Sequence, residues 1–249
     1  MNARETQERN APKTDDARAP MRDRDVDDAV RKAVHTLEED IVLGYLNPRE
    51  RLVEDDLRER FGLKRHVVRQ VLMELERMGL VERRKNIGAL VKSHTEEEVL
   101  NLYAVRDILE GAAAACIPLP LDAAVLDQIE AIQHTHDAAI KRADLRAVFR
   151  ANVDFHRTLF AATRNPELAD AITDFAQRAN AIRQSSTAIP EHLENARQEH
   201  WQIIEALREG KRERLVELCR KHLVPSRDNY IQRYRMLHPE REGQEDQAA

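Results

Sequence analysis

From Val26 onward the apolar residues Val26, Val30, Val34, Leu37 and Ile41 recur at intervals of four, four, three and four. That is the period of a helix burying one stripe, not the alternation of a strand. The same rhythm runs with short interruptions almost to the end of a chain that has only seven glycines and 4% aromatic residues. Sheets usually carry more aromatic and β-branched side chains, so the expected class is mainly α. The 249 residues suit two domains, and an apolar content of 42% suffices to build their cores.

The opening segment MNARETQERNAPKTDDARAPMRDRD has no apolar core. It is expected to be a disordered tail over residues 1–22 rather than a secretory signal. Residues 238–249 are expected to form a second such tail. No apolar run approaches the ~20 residues of a membrane span. Cys116 and Cys219 sit in helical patterns without metal-ligand spacing, which fits reduced, buried thiols in a cytoplasmic protein.

The net charge of −5 conceals a polarity. Residues 57–92 carry ten Lys or Arg against four acids, whereas residues 93–249 carry twenty bases against twenty-six acids. A basic patch on an acidic protein is the footprint of an anion-binding module, nucleic acid above all. The local pattern agrees. Gly44 ends the first helix, EDDLRERFG makes a short second one closed by Gly62, and a third runs from about Lys64 to Met78 with Gly79 as its cap. This third helix buries Val68, Val71 or Leu72, Leu75 and Met78. Lys64, Arg65, His66 and Arg69 crowd its first turns, with Arg65 and Arg69 four apart on a face away from the buried stripe. A short helix, a glycine turn and a helix with a cationic start make a helix-turn-helix, whose recognition helix reads base edges in the major groove. Next, Leu80–Arg83 and Ala89–Lys92 flank a turn containing Asn86 and Gly88, a hairpin signal. Helix-turn-helix plus hairpin is a winged helix, expected over residues 23–93, with Arg84 and the hairpin tip against DNA.

Thr95 and Glu98 form a capping box for the helix that opens a second domain, residues 95–237. It is expected to bury Val99, Leu102, Leu109, Ala113 and Cys116. Arg106 falls on that stripe, either as an i,i+4 partner of Glu110 or as a guanidinium offered to an anionic ligand. Further helices are expected at about 121–142, 144–163, 166–187, 190–208 and 211–236, with Pro225 kinking or interrupting the last.

Of ten histidines, six read as incidental: His134 and His136 face different ways, and His35, His94, His192 and His238 lie in polar surroundings. Three stand out. Asn152 and His156 share a helical face in NVDFHRTLF, His200 sits beside Trp201, Ile203 and Ile204, and His222 lies in the last helix. Three imidazoles and an amide oxygen converging in a bundle suit Zn²⁺, Ni²⁺ or Mn²⁺, with Zn²⁺ first.

The chain resembles the GntR family of bacterial transcription regulators, in its subfamily with an all-helical ligand-binding C-terminal (FCD) domain. The resemblance runs from about residue 25 to 235. It is carried by EDDL..RFGLKRHVVRQVLMELERMGLVE, the GALV of the wing, R..LE..AA, N..FH..L..A..NPEL, and EH..II.AL with a histidine twenty-two residues beyond the first. It implies a winged helix, a six- or seven-helix bundle, a homodimer on a palindromic operator, and release from DNA by a small carboxylate or sugar-acid effector. By position it makes Arg65, His66 and Arg69 DNA-contacting, with Gly88 in the wing, and Asn152, His156, His200 and His222 the metal ligands; the charge and helix pattern itself adds Lys64, Arg84 and Asn86 to the DNA-contacting set and Arg106 as the effector-binding residue. The chain departs from the family where Lys64, Arg65, His66 and Val67 replace the usual Ser-Arg-Thr-Pro, and where Asn152 stands at a position often held by aspartate. The rival reading is a zinc-dependent hydrolase built on the three histidines. It lacks the neighbouring general base of an H-E-x-x-H helix and leaves the winged helix unexplained.

Overall fold

The computed structural model describes residues 23–238 apart from Ala188, so both expected tails, save His238, lie outside the described residues. Among the described residues there are eleven helices and three short strands. The N-terminal unit holds α1 (Asp23–Val42), β1 (Arg51–Leu52), α2 (Glu54–Phe61), α3 (Arg65–Arg77), β2 (Val81–Arg84) and β3 (Gly88–Val91). The bundle holds α4 (Glu96–Cys116), α5 (Ala123–Lys141), α6 (Leu145–Ala161), α7 (Pro166–Arg178), α8 (Asn180–Thr187), α9 (Pro190–Arg208), α10 (Arg212–Lys221) and α11 (Val224–Leu237). The protein is mainly helical with one small antiparallel sheet, as its periodicity requires.

In the N-terminal unit Leu37 and Ile41 of α1 pack with Val68, Leu72 and Leu75 of α3 and Leu80 beyond it. Both Val71 and Leu72 are buried. The turn between α2 and α3 depends on Gly62, which adopts φ 64° and donates its N–H to the Arg58 carbonyl. A side chain there would meet the left-handed penalty of ~1–2 kcal/mol. The wing is the hairpin β2–β3, in register from Val81↔Val91 to Arg84↔Gly88. The sheet also takes in β1, which was not anticipated and pairs Leu52 with Ala89 on the other edge of β3. Two residues are too few to show alternation, so no strand signal was available to read.

The bundle begins where expected: the Thr95 side chain accepts from Glu98 N–H while Glu98 caps the Thr95 N–H. Its core gathers Ile117, Ile129, Phe155, Leu159, Ile203 and Ile204. Two expected helices are each broken, giving eight segments where six or seven were expected. The 166–187 helix stops at Ala179, and α8 turns toward α1, where Ala181 joins the N-terminal core. The 211–236 helix stops at Lys221 and restarts at Val224, placing Pro225 in a first turn where its missing N–H costs nothing. Cys219 is buried, but Cys116, at the open end of α4, is exposed, and Leu102 and Leu109 are only partly buried.

Besides the packing of α8 on α1, polar contacts fasten the two units at α6 and at the linker. Glu39 and Asp40 of α1 are 1–2% exposed. Arg146 of α6 bonds both of them, Arg150 donates to Glu39 at 2.5 Å, and Arg60 of α2 donates to Asp40 at 2.5 Å. Adjacent buried carboxylates persist only when cations compensate them. At the linker, Tyr230 Oη accepts from the His94 N–H and donates to the His94 carbonyl, each at 3.0 Å. His94 is therefore buried rather than in polar surroundings, and burial pulls its imidazole down to about 4.

Candidate nucleic-acid interface and metal centre

The start of α3 projects from the N-terminal unit. Val67 and Val68 are buried beneath it, while Lys64, Arg65, His66 and Arg69 are exposed. Arg84, Asn86 and Gly88 are exposed at the wing tip, where Asn86 and Gly88 take φ 66° and 104° to turn the chain. All seven sequence-predicted DNA residues thus lie on solvent-facing surface of the recognition helix and the wing. The two long arginines on α3 are not loose: both reach Glu54 at the start of α2.

The second site lies inside the bundle. His156 of α6, His200 of α9 and His222, the residue capping α10, bring one ring nitrogen each within 4.8 Å of one another. Each ring is oriented by its surroundings. His200 Nδ1 donates to Gln133 Oε1 at 2.8 Å. Gln133 is turned that way because its Nε2 donates to Asp137 at 2.8 Å, and Asp137 also accepts from Trp201 Nε1 at 3.1 Å. His222 Nδ1 donates to Glu199 at 2.7 Å. In the neutral His200 ring the hydrogen bond at Nδ1 leaves Nε2 with its lone pair, the tautomer a metal takes, and the Glu199 bond orients the His222 ring by the same edge. His200 Nε2 and both nitrogens of His156 are buried without a hydrogen-bond partner. Burial holds the His156 and His200 imidazoles well below their ordinary pKa, with the charge tendency of His222 adding to it, so both are neutral donors at pH 7. Unpartnered buried nitrogens cost free energy, and a divalent cation would satisfy one on His156 and the one on His200 while taking His222 as a third donor. The donor set fits such a metal.

Above the histidines is a cavity of about 120 Å³ whose wall includes Asn152, His222, Glu199, Arg106 and Arg183. Arg106 is 2% exposed; its Nε and Nη2 donate to Glu110 Oε1 at 2.9 and 2.8 Å, while Nη1 has no partner. Burial acts to lower its pKa, but the Glu110 charge outweighs that and the guanidinium stays ionised. Arg183 of α8 is pulled the other way, to about 10, by burial and then by the charge of Arg106. Two guanidinium groups facing one small cavity make it a place for an anion.

Several of these residues escaped sequence reading. His136 is not incidental: it is buried on the cavity wall 5.3 Å from His200 between ring centres, and burial holds it at about 4. His192 also faces the cavity, bonded by Asn229 at 3.0 Å. One signal was available. On α5 the buried positions Ile129, Gln133, His136 and Ala139 form one stripe, and a glutamine and a histidine inside an apolar stripe need partners. Glu199 and Arg183 carried no comparable mark. Asp154 pairs with Arg157 at 2.8 Å and stays out of the site.

A winged helix with a cationic recognition helix, joined to a helical bundle, is the build of a transcription regulator. Comparison with known proteins agrees. Residues 29–91 match the model of the bacterial regulatory proteins of the gntR family, and residues 101–224 match that of the FCD domain; the chain belongs to the GntR family and carries an FCD domain. It is 28% identical over 175 residues to the probable D-xylose utilization operon transcriptional repressor of Paenarthrobacter nicotinovorans, covering 69% of this chain and 74% of that protein. It is 25% identical over 187 residues to the HTH-type transcriptional repressor RspR of Escherichia coli, covering 75% and 82%. Its fold is that of E. coli McbR/YncC, with TM-score 0.71 at 18% identity over 83% of this chain and 98% of that one. A GntR regulator from Rhodococcus sp. RHA1 superposes equally well, with TM-score 0.70 at 21% identity over 84% and 100%. These families and relatives are transcription regulators rather than enzymes. The carboxylate nearest the histidines, Glu199, is occupied in orienting His222 rather than standing free as a base. Among the described residues no helix is long and apolar enough to cross a membrane.

Proposed function

We propose that the protein is a homodimeric repressor that binds a palindromic operator and leaves it when a small carboxylate or sugar acid enters the bundle. The observation that carries this reading is the cavity in which two guanidinium groups stand beside the histidine cluster. Arg106 and Arg183 pair with the anion. Asn152, His156, His200 and His222 hold a divalent metal, Zn²⁺ before Ni²⁺ or Mn²⁺, which braces three helices and offers open positions to the effector's oxygens. Lys64, Arg65, His66 and Arg69 enter the major groove, with Arg84, Asn86 and Gly88 at the flanking backbone.

The test is a thermal-shift panel of carboxylates and sugar acids. A ligand at 100 times its dissociation constant stabilises by about 2.7 kcal/mol when it binds only the folded state. Removing Arg106 alone strands Glu110 as a buried, unpaired carboxylate, a cost of ~3–5 kcal/mol. The informative variant therefore changes Arg106→Met together with Glu110→Leu. It is expected to bind DNA normally and to lose both the thermal shift and ligand-induced release. Release at the wild-type ligand concentration would reduce Arg106 to an ion-pair partner.

Support for the dimer comes from α4. Leu100, Ala104, Ile108 and Ala112, spaced by four, form an exposed apolar stripe on which Leu100 and Ile108 are 44% and 65% accessible. A twofold contact buries the same stripe from both copies. Ile108→Glu is expected to shift the sedimenting species from dimer to monomer; an unchanged dimer places the contact elsewhere.

A further inference from the structure

The two arginines that face DNA share one carboxylate. Glu54 is the first residue of α2, and the α2–α3 turn brings it beneath the recognition helix. Arg69 Nε lies 3.2 and 3.3 Å from its two oxygens, and Arg65 Nε lies 3.5 Å from Oε2. Arg65 Nη2 also lies 3.6 Å from Asp55. Glu54 is 33% exposed and each arginine 57%, so the carboxylate is the more covered partner of both pairs. In both pairs the contact to Glu54 is made through Nε.

Resting on the DNA-binding reading above, we propose that Glu54 is the positioning residue of the recognition helix, holding Arg65 and Arg69 by their Nε edges so that their terminal Nη groups are left for base edges once Arg65 exchanges its long contact with Asp55 for DNA, and that it thereby sets the ratio of specific to non-specific DNA binding. Bidentate reading of a guanine needs two N–H groups aimed in one direction. A guanidinium on a free, flexible stem reaches that geometry only by losing rotamer entropy in the complex. One anchored at Nε has lost it beforehand. The carboxylate also acts against the wrong target. Phosphate binding is driven by net positive charge and the release of counterions. Glu54 cuts the local charge of the arginine pair from +2 to +1, which weakens attraction to any backbone while leaving guanine reading possible.

The experiment uses the full-length chain and two duplexes of equal length: one recovered by selection from a random library with the wild-type protein, and a shuffled version of it. Glu54→Gln keeps the shape and removes the charge. Asp56→Asn is the control, because Asp56 shares the acidic first turn of α2 and supports the helix dipole equally. Glu54→Gln is expected to bind the shuffled duplex several-fold more tightly, with its log–log salt slope steeper by about one. It should bind the selected duplex more weakly, lowering the specificity ratio about tenfold. Asp56→Asn should leave the ratio and the slope unchanged at a similar melting temperature. Equal effects of the two substitutions, or no change in ratio and slope for Glu54→Gln, overturn the proposal and assign Glu54 to helix stability. If the wild type recovers no preferred sequence, the DNA-reading assignment itself falls, an outcome seen before any variant is made.

Discussion

Replacing Arg65 and Arg69 together by alanine is expected to abolish operator selectivity while leaving the fold intact. Each arginine that reads a guanine is worth roughly 1–3 kcal/mol of discrimination, so the pair accounts for roughly 2–6 kcal/mol. Both side chains are 57% exposed, and their contacts are to Glu54 and Asp55, also at the surface. Exposed ion pairs of this kind contribute little to stability, so the melting temperature should barely move. The control is Arg84→Ala on the wing, which should weaken binding to all sequences alike and flatten the salt dependence by about one unit. Electrophoretic or anisotropy titrations at several salt concentrations measure both. Undiminished selectivity in the double variant would sink the winged-helix assignment of these side chains.

The second large effect is expected at the histidines. Protein purified without chelator should carry stoichiometric metal by elemental analysis, and His200→Ala should carry none under the same conditions. Losing a ring that Gln133 and Asp137 hold in one tautomer removes both a ligand and its preparation. The pH dependence has a defined sign. His156 and His200 are held neutral by burial, so protons compete with metal at these two positions only below the ordinary histidine range. The metal-free protein behaves differently. As pH falls below ~6.5 its unfolded chain takes up protons that the folded state refuses, and stability drops by up to ~1.4 kcal/mol per unit for each such histidine. The stabilisation conferred by Zn²⁺ should therefore survive moderate acidification better than the metal-free fold does. A wild-type protein that carries no metal and gains no stability from Zn²⁺, Ni²⁺ or Mn²⁺ leaves the histidines as core residues.

Much of this site was legible because its principal members sit on strong periodic helices. Asn152 and His156 are four apart, and His200 lies within an apolar stripe, so their inward placement follows from the helical period alone. The recognition helix was legible for the opposite reason: its cations interrupt what would otherwise be ordinary solvated surface. What escaped was set by tertiary contact. Gln133 and His136 were hidden because two histidines two residues apart, His134 and His136, looked like surface. Only the packing of α5 on α9 turns His136 inward and leaves His134 against Trp201, 5.0 Å away between ring centres. The break at Ala179 carries no glycine or proline to announce it. It is imposed by α1, which draws Ala181 into its core and takes an Asn180 hydrogen bond at Glu38 Oε1, 2.8 Å away. Glu39 and Asp40 lie off the apolar stripe of the first helix, and nothing nearby in sequence shows that they are nearly closed off by arginines more than a hundred residues further on.

That last arrangement has a thermodynamic corollary. Helix α6 carries Arg146 and Arg150, which grip α1, and two turns further on Asn152 and His156, which face the bundle's interior. The ends of this set are about 15 Å apart along one rigid rod. Whatever tilts or turns the rod is felt at both ends, and linkage runs in both directions by the same factor. A compound that loosens the protein's hold on DNA tenfold must itself be held tenfold more loosely by the DNA-bound protein. The coupling can therefore be measured entirely from the small-molecule side, by titrating the compound with and without saturating operator. The ratio of those two dissociation constants is the regulator's dynamic range.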